Sequence, residues 1–186
     1  MKLLMIIILF SIFNNLFAGA YHVSINNTNL ISDASPSVKC FGNLLISENS
    51  ELFVNSSATI SLAGSWINNG DFISGNSIVR FFGNNETEYI QGNTVTTFSN
   101  LVVEKDDEDK TLSPLIDVFV QNDMNIIKGT LFVEDINVEI WNNLNIYNGG
   151  ILENKSDLPF LIKIFGRVYN NSELNNDGWL EIGVEE

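Results

Sequence analysis

The sequence predicts an all-β fold, a single-stranded parallel β-helix (β-solenoid) wound right-handed from about seven coils. Three observations predict it. Short alternating apolar runs are broken by Asn, Gly, Ser and Asp; no stretch sustains apolar residues at spacings of three and four; and one unit recurs along the chain.

In chain order the first element is a leader. Lys2 gives a positive start, Leu3 to Phe13 is an almost unbroken apolar run, and Ala18-Gly19-Ala20 is a small-residue cleavage site. Residues 1–20 therefore read as a signal peptide, with the mature chain starting at Tyr21. The run is too short to span a bilayer and no second one follows, which predicts no membrane insertion after cleavage. A lipid anchor would need a cysteine after the cleavage site, where Tyr21 stands. The expected location is extracellular or at the cell surface.

Cleavage leaves residues 21–186 as one solenoid domain, long enough for a sizeable core. The formal charge of −14 becomes −15 once Lys2 leaves, which disfavours contact with nucleic acid or anionic membrane and suits cations, basic partners or neutral glycans better. The single cysteine, Cys40, allows no internal disulfide and reads as a small buried side chain.

The strands are short. Leu52 to Val54, Ile60 to Leu62, Ile78 to Phe82, Leu101 to Val103, Val118 to Val120, Leu131 to Val133, Val138 to Ile140 and Leu161 to Phe165 suit the sides of a coil better than a deep sandwich. The recurring unit is Gly64-Ser65-Trp66-Ile67-Asn68-Asn69-Gly70-Asp71-Phe72, matched by Gly166-Arg167-Val168-Tyr169-Asn170-Asn171-Ser172-Glu173-Leu174. Trp141-Asn142-Asn143-Leu144-Asn145-Ile146 is a looser copy. Such units are stabilised by covering one another, and the alignment predicts equivalent inward sites for Trp66 and Val168.

Alternation places Leu52, Val54, Ile60, Leu62, Trp66 and Phe72 inward and Glu51, Thr59, Ser61 and Ser65 toward water. After Gly75 the parity shifts, sending Val79 and Phe81 inward and Arg80 outward. The pairs Asn68-Asn69 and Asn170-Asn171 fall at corners, where asparagine tolerates left-handed backbone and bonds a neighbouring coil.

From Gly42 to Val103 the chain resembles the β-solenoid repeat of secreted and surface proteins of Bacteroidetes-type bacteria. The residues that carry this are Gly42-Asn43 with Leu44-Leu45-Ile46, the Gly64 to Phe72 unit, Ile78 to Gly83, Tyr89-Ile90-Gln91-Gly92 and Thr96 to Val103. The resemblance continues more weakly from Asp117 to Gly183. It implies a parallel β-helix used as a building block of adhesins and envelope proteins, with no catalytic set to transfer.

Parallel β-helices also host polysaccharide lyases and hydrolases, which need converging carboxylates and a basic residue. Arg80, Arg167, Asp71 and Asp117 are the candidates, and the sequence scatters them over distant coils. The run Glu104 to Lys110 lacks the spacing of a calcium loop and reads as a solvated, flexible excursion between coils. His22 has no second metal ligand nearby. No cofactor or metal is expected. Tyr89, Tyr147, Tyr169 and Trp179 are the candidate ligand-surface residues, as aromatics that stack on sugar rings.

The sequence thus predicts a non-catalytic, structural or adhesin-like spacer or interaction module, with a polysaccharide-binding or polysaccharide-degrading β-helix as the alternative. Expected partners are glycans or other envelope proteins, with end-to-end self-association through open end coils.

Overall fold

The computed structural model describes residues 15–18, 22–25, 29–32, 37–54, 57–157 and 159–183, the first three strands by their backbone alone. Most of the expected leader, and residues 19–20 of the expected Ala18-Gly19-Ala20 cleavage site, lie outside the described residues. No helix occurs among the described residues.

Strands, numbered in chain order, stack into three faces. The first face carries β1 (Asn15–Ala18), β4 (Ser37–Cys40), β7 (Thr59–Leu62), β10 (Ile78–Gly83), β13 (Asn100–Lys105), the start of β16 (Met124–Val133), β18 (Leu144–Ile146) and β21 (Val168–Asn170). The second carries β2 (His22–Ile25), β5 (Asn43–Ile46), β8 (Trp66–Asn68), β11 (Thr87–Gly92), β14 (Thr111–Pro114), the end of β16, β19 (Gly150–Asn154) and β22 (Glu173–Asn176). The third is split into β3 (Asn29–Ser32), β6 (Glu51–Val54) and β9 (Asp71–Ile73), then β12 (Thr96–Phe98), β15 (Val118–Val120), β17 (Val138–Ile140), β20 (Ile162–Ile164) and β23 (Leu180–Ile182). The described pairings are parallel, and from β4 to β21 the chain makes about six turns. Strand β1 lies inside the segment read as leader, so cleavage after Ala20 would leave β4 as the edge of the first face.

Register explains why alternating sequence folds this way. On the first face Ile60, Val79, Leu101, Met124 and Leu144 form one inward column and Leu62, Phe81, Val103, Ile126 and Ile146 another, all buried. Each rung hides the apolar side of the next, worth about 1.5–3 kcal/mol per large side chain. Val79 and Phe81 point in and Arg80 out, as the parity shift predicts. Ser61 departs from expectation. It is outward by parity yet buried, because Lys39 and Arg80 flank it in register and cover it.

The repeat alignment also needs correction. Trp66 stands on the second face, in column with Leu44 and Ile90, whereas Val168 stands on the first, above Leu144. Trp66 is fully buried and Trp141 is exposed at a corner. What the copies share is local: a glycine at a corner, then a three-residue strand ending in Asn. A Cβ on Gly64 would meet the Gly42 carbonyl carbon at 2.4 Å, and one on Gly166 would meet the Asn142 oxygen at 2.3 Å, so each glycine permits close stacking on the coil below. The unit marks a corner and does not fix a position in the coil.

Corner amides tie coils together. Asn69 Oδ1 accepts the Asn93 N–H at 2.9 Å, while Asn68 donates to Thr96 Oγ1 at 3.1 Å and caps its own turn through Gly70 N–H. Asn170 serves only its own turn, accepting from Ser172 N–H. An amide rung the sequence did not single out links Asn145 Nδ2 to Asn125 Oδ1 at 3.0 Å. Replacing Asn145 by Ala is expected to cost about 1 kcal/mol in chemical denaturation, the net worth of one such bond.

Lys105, at the end of β13, points inward. Its ammonium meets Glu88 Oε2 at 2.7 Å with both side chains at 1% exposure or less. Asn85 Nδ2 donates to Glu88 Oε1 at 3.1 Å, and Lys105 Nζ reaches the Phe82 carbonyl at 3.4 Å. Burial raises the Glu88 carboxyl above the usual carboxylate range, against the pull of Lys105 and Asn85. Gly129, at φ +95, leaves room for the lysine stem: a Cβ there would lie 2.5 Å from Lys105 Cγ.

Candidate functional site

A parallel sheet with a covered inner side leaves its outer side for a ligand. On the first face the outward positions form three columns. The first is Ser37, Thr59, Ile78, Asn100, Asp123, Asn143 and Arg167; the second is Lys39, Ser61, Arg80, Val102, Asn125, Asn145 and Tyr169. The third runs along Phe41, Ala63, Phe82, Glu104, Lys128 and Tyr147, with Ile127 and Lys128 at a bulge opposite Val103/Glu104.

Register brings together residues that are far apart in sequence. The rings of Phe41 and Phe82 meet edge to face at 5.8 Å, two coils apart, because the intervening rung holds only Ala63. Lys39 Nζ sits 5.0 Å from the Phe41 ring centre and 4.5 Å from that of Phe82. Arg80 lies 6.0 Å from the Phe82 ring and pairs through Nε with Glu104 Oε2 at 2.8 Å. Toward the other end Tyr147 and Tyr169 occupy diagonal positions on adjacent rungs, 45% and 48% exposed.

Of the four candidate aromatics, the structure gathers two. Tyr89 projects from the second face, its N–H bonded to Ser65 Oγ at 3.0 Å, and Trp179 stands at the corner before β23. Both are exposed, on faces apart from Tyr147 and Tyr169. Lys39, Phe41 and Phe82 were missed, because their proximity follows from a coil length that the repeat unit does not fix. The signal that finds them is the offset of about 22 residues between apolar columns, once strands are stacked.

Charge is segregated. The three outward columns of the first face hold four cations, Lys39, Arg80, Lys128 and Arg167, and two anions, Glu104 and Asp123, a net of +2 on a chain whose total is −14. Among the described residues no carboxylate pairs with Lys39, Lys128 or Arg167.

The Glu104 to Lys110 run is not a free excursion. Lys105 turns inside; Lys110 Nζ meets Glu86 Oε1 at 2.9 Å and Asp109 at 3.2 Å; Thr130 Oγ1 donates to the Glu108 carbonyl at 2.8 Å; and Lys128 Nζ reaches the Asp106 carbonyl. Lys105, Lys110 and Lys128 bind the loop to its neighbouring coils, which charge counting alone does not reveal. Among the described residues no group of three or more His, Cys, Asp and Glu is placed to hold a metal ion. Arg80, Arg167, Asp71 and Asp117 do not converge: the two arginines lie on the first face, Asp71 on the third, and Asp117 at a corner, accepting from Asn137 N–H at 2.8 Å. No helix among the described residues is long and apolar enough to cross a membrane.

Comparison with family models, with curated proteins and with solved structures finds no match.

Proposed function

We propose that this chain is an exported, extracellular or envelope-associated β-solenoid, akin to the adhesin-type repeats of Bacteroidetes, serving as a structural and adhesive module that binds through the outward side of its first face. The observation that carries this reading is the segregation on that face: exposed Phe41, Tyr147 and Tyr169 beside Lys39, Lys128 and Arg167, which no carboxylate among the described residues neutralises, in a strongly acidic chain. Electrostatic complementarity of this kind steers and orients a partner more than it stabilises a fold. The rigid stack supplies the spacer.

A glycan array probed with residues 21–186 tests the binding reading. Retention of one glycan class is expected, lost on combining Tyr147→Ala with Tyr169→Ala while circular dichroism stays unchanged. Retention indifferent to those two residues would move the site elsewhere, and new reducing or unsaturated ends released from a polysaccharide would replace the reading with an enzyme. Export is tested separately by fusing residues 1–20 to a reporter active only outside the cytoplasm. Activity is expected, and its absence would remove the leader.

A further inference from the structure

Resting on that reading, we propose that the ligand of the first face is a carboxylated polysaccharide laid along the solenoid axis, its acid groups held by Lys39, Lys128 and Arg167 and its rings by Phe41, Tyr147 and Tyr169. The chain has 23 acidic side chains and 9 basic ones, so a basic side chain has an excess of acids to pair with. Four of the described ones have no carboxylate partner, namely Lys39, Lys128, Lys163 and Arg167, and three of these share one face. Keeping acids away from them preserves a local positive field that self-pairing would cancel.

Two of the cations are also held in place, Lys128 by its bond to the Asp106 carbonyl and Lys39 by aromatic rings. Lys39 is held between two aromatic rings instead of sweeping through solvent, which lowers the ordering cost of gripping an anion. From Lys39 to Lys128 is four rungs, roughly 19 Å, and Arg167 lies about two rungs further. An extended chain with repeated acid groups meets that spacing, whereas a small anion meets only one of the three. Rungs recur every ~4.8 Å, close to the length of one hexose in an extended polysaccharide, so successive sugars advance nearly in step with the coils.

Beyond the edge-to-face pair of Phe41 and Phe82, amides occupy the rungs that lead to Tyr169. Asn100, Asn125, Asn145 and Asn143 interleave with the aromatics, and Asn125 and Asn145 already form a bonded row. This mixture suits a ligand with alternating ring faces and hydroxyls and does not form the contiguous apolar patch of a protein interface.

The test uses residues 21–186 with polygalacturonate, its fully methyl-esterified form, and neutral dextran, in affinity electrophoresis and calorimetry. Polygalacturonate is expected to bind, with affinity falling as salt rises, and the esterified polymer to bind at least about tenfold more weakly. Combining Lys39→Glu with Arg167→Glu should abolish polygalacturonate binding, while Lys163→Glu, on the third face, should leave it unchanged. Esterified polymer or dextran binding equally well, with loss only in the Tyr147→Ala and Tyr169→Ala variant, would overturn the carboxylate assignment and leave the first face as the binding surface. Polygalacturonate binding unaffected by any first-face substitution would overturn both readings. Failure of all three polymers to bind overturns the polysaccharide assignment, and the glycan array then decides the surface on its own.

Discussion

Replacing Lys105 by Met is expected to lower the unfolding free energy by about 3–5 kcal/mol, because it strands the Glu88 carboxylate in a dry corner. Converting both partners, Lys105→Met with Glu88→Leu, should recover most of that loss, since two apolar side chains of similar bulk need no solvation. The pair therefore contributes little net stability while either partner alone is intolerable. Its place, locking β13 onto β11 one coil below, makes it a device for register: slippage by one rung would expose or separate the two charges. Urea denaturation of the wild type, the single and the double variant measures the difference directly.

The same pair sets a pH dependence. Burial raises the Glu88 carboxyl in the folded chain above its unfolded value, so the folded state takes up this proton more readily. The contribution of Glu88 is then greatest at low pH and is lost as pH rises through its folded pKa. Relative to Glu88→Gln, the wild type should gain stability on going from pH 7 toward the carboxylate range, a trend that denaturation midpoints at matched ionic strength would show.

The second large effect is expected at Trp66. The indole is fully buried, packs against Phe72 at 4.7 Å and Phe98 at 5.3 Å between ring centres, and donates through Nε1 to Thr96 Oγ1 at 3.2 Å. These aromatics sit where the third face is broken between β9 and β12, so they join the two halves of that face by packing instead of by a strand ladder. Trp66→Ala opens a cavity at this seam and should cost about 3–5 kcal/mol, with loss of near-ultraviolet dichroism. Trp66→Phe, which keeps a ring and loses the indole N–H, should cost distinctly less.

Much of the architecture was legible. Alternation at Leu52, Val54, Ile60, Leu62, Val79 and Phe81 gave their burial, because a strand in a closed stack has one dry side and one wet side whatever lies above it. What local pattern does not carry is the offset between rungs. The offset is 22 residues from Val38 to Ile60 but 19 from Ile60 to Val79, and Glu104 slips by one against Lys128 at a bulge. That irregularity hid the correct equivalence of Trp66, which aligns by motif with Val168 but stacks with Leu44 and Ile90. It hid the outward site as well: Tyr147 and Tyr169 were found as lone aromatics, but the Lys39, Phe41 and Phe82 cluster exists only after stacking. A charged run such as Glu104 to Lys110 suggests solvated side chains, and only the partner of Lys105 in the preceding coil explains its burial.

Every surface assignment depends on which residues lie above one another, and engineered disulfides measure that most directly. In a Cys40→Ala background, Asn145→Cys with Tyr169→Cys places two thiols on adjacent rungs, within the Cα spacing a disulfide accepts, while Asn125→Cys with Tyr169→Cys sets them two rungs apart, beyond it. The stacked account predicts spontaneous oxidation of the first pair and free thiols in the second. Oxidation of the two-rung pair with none in the adjacent pair would contradict it.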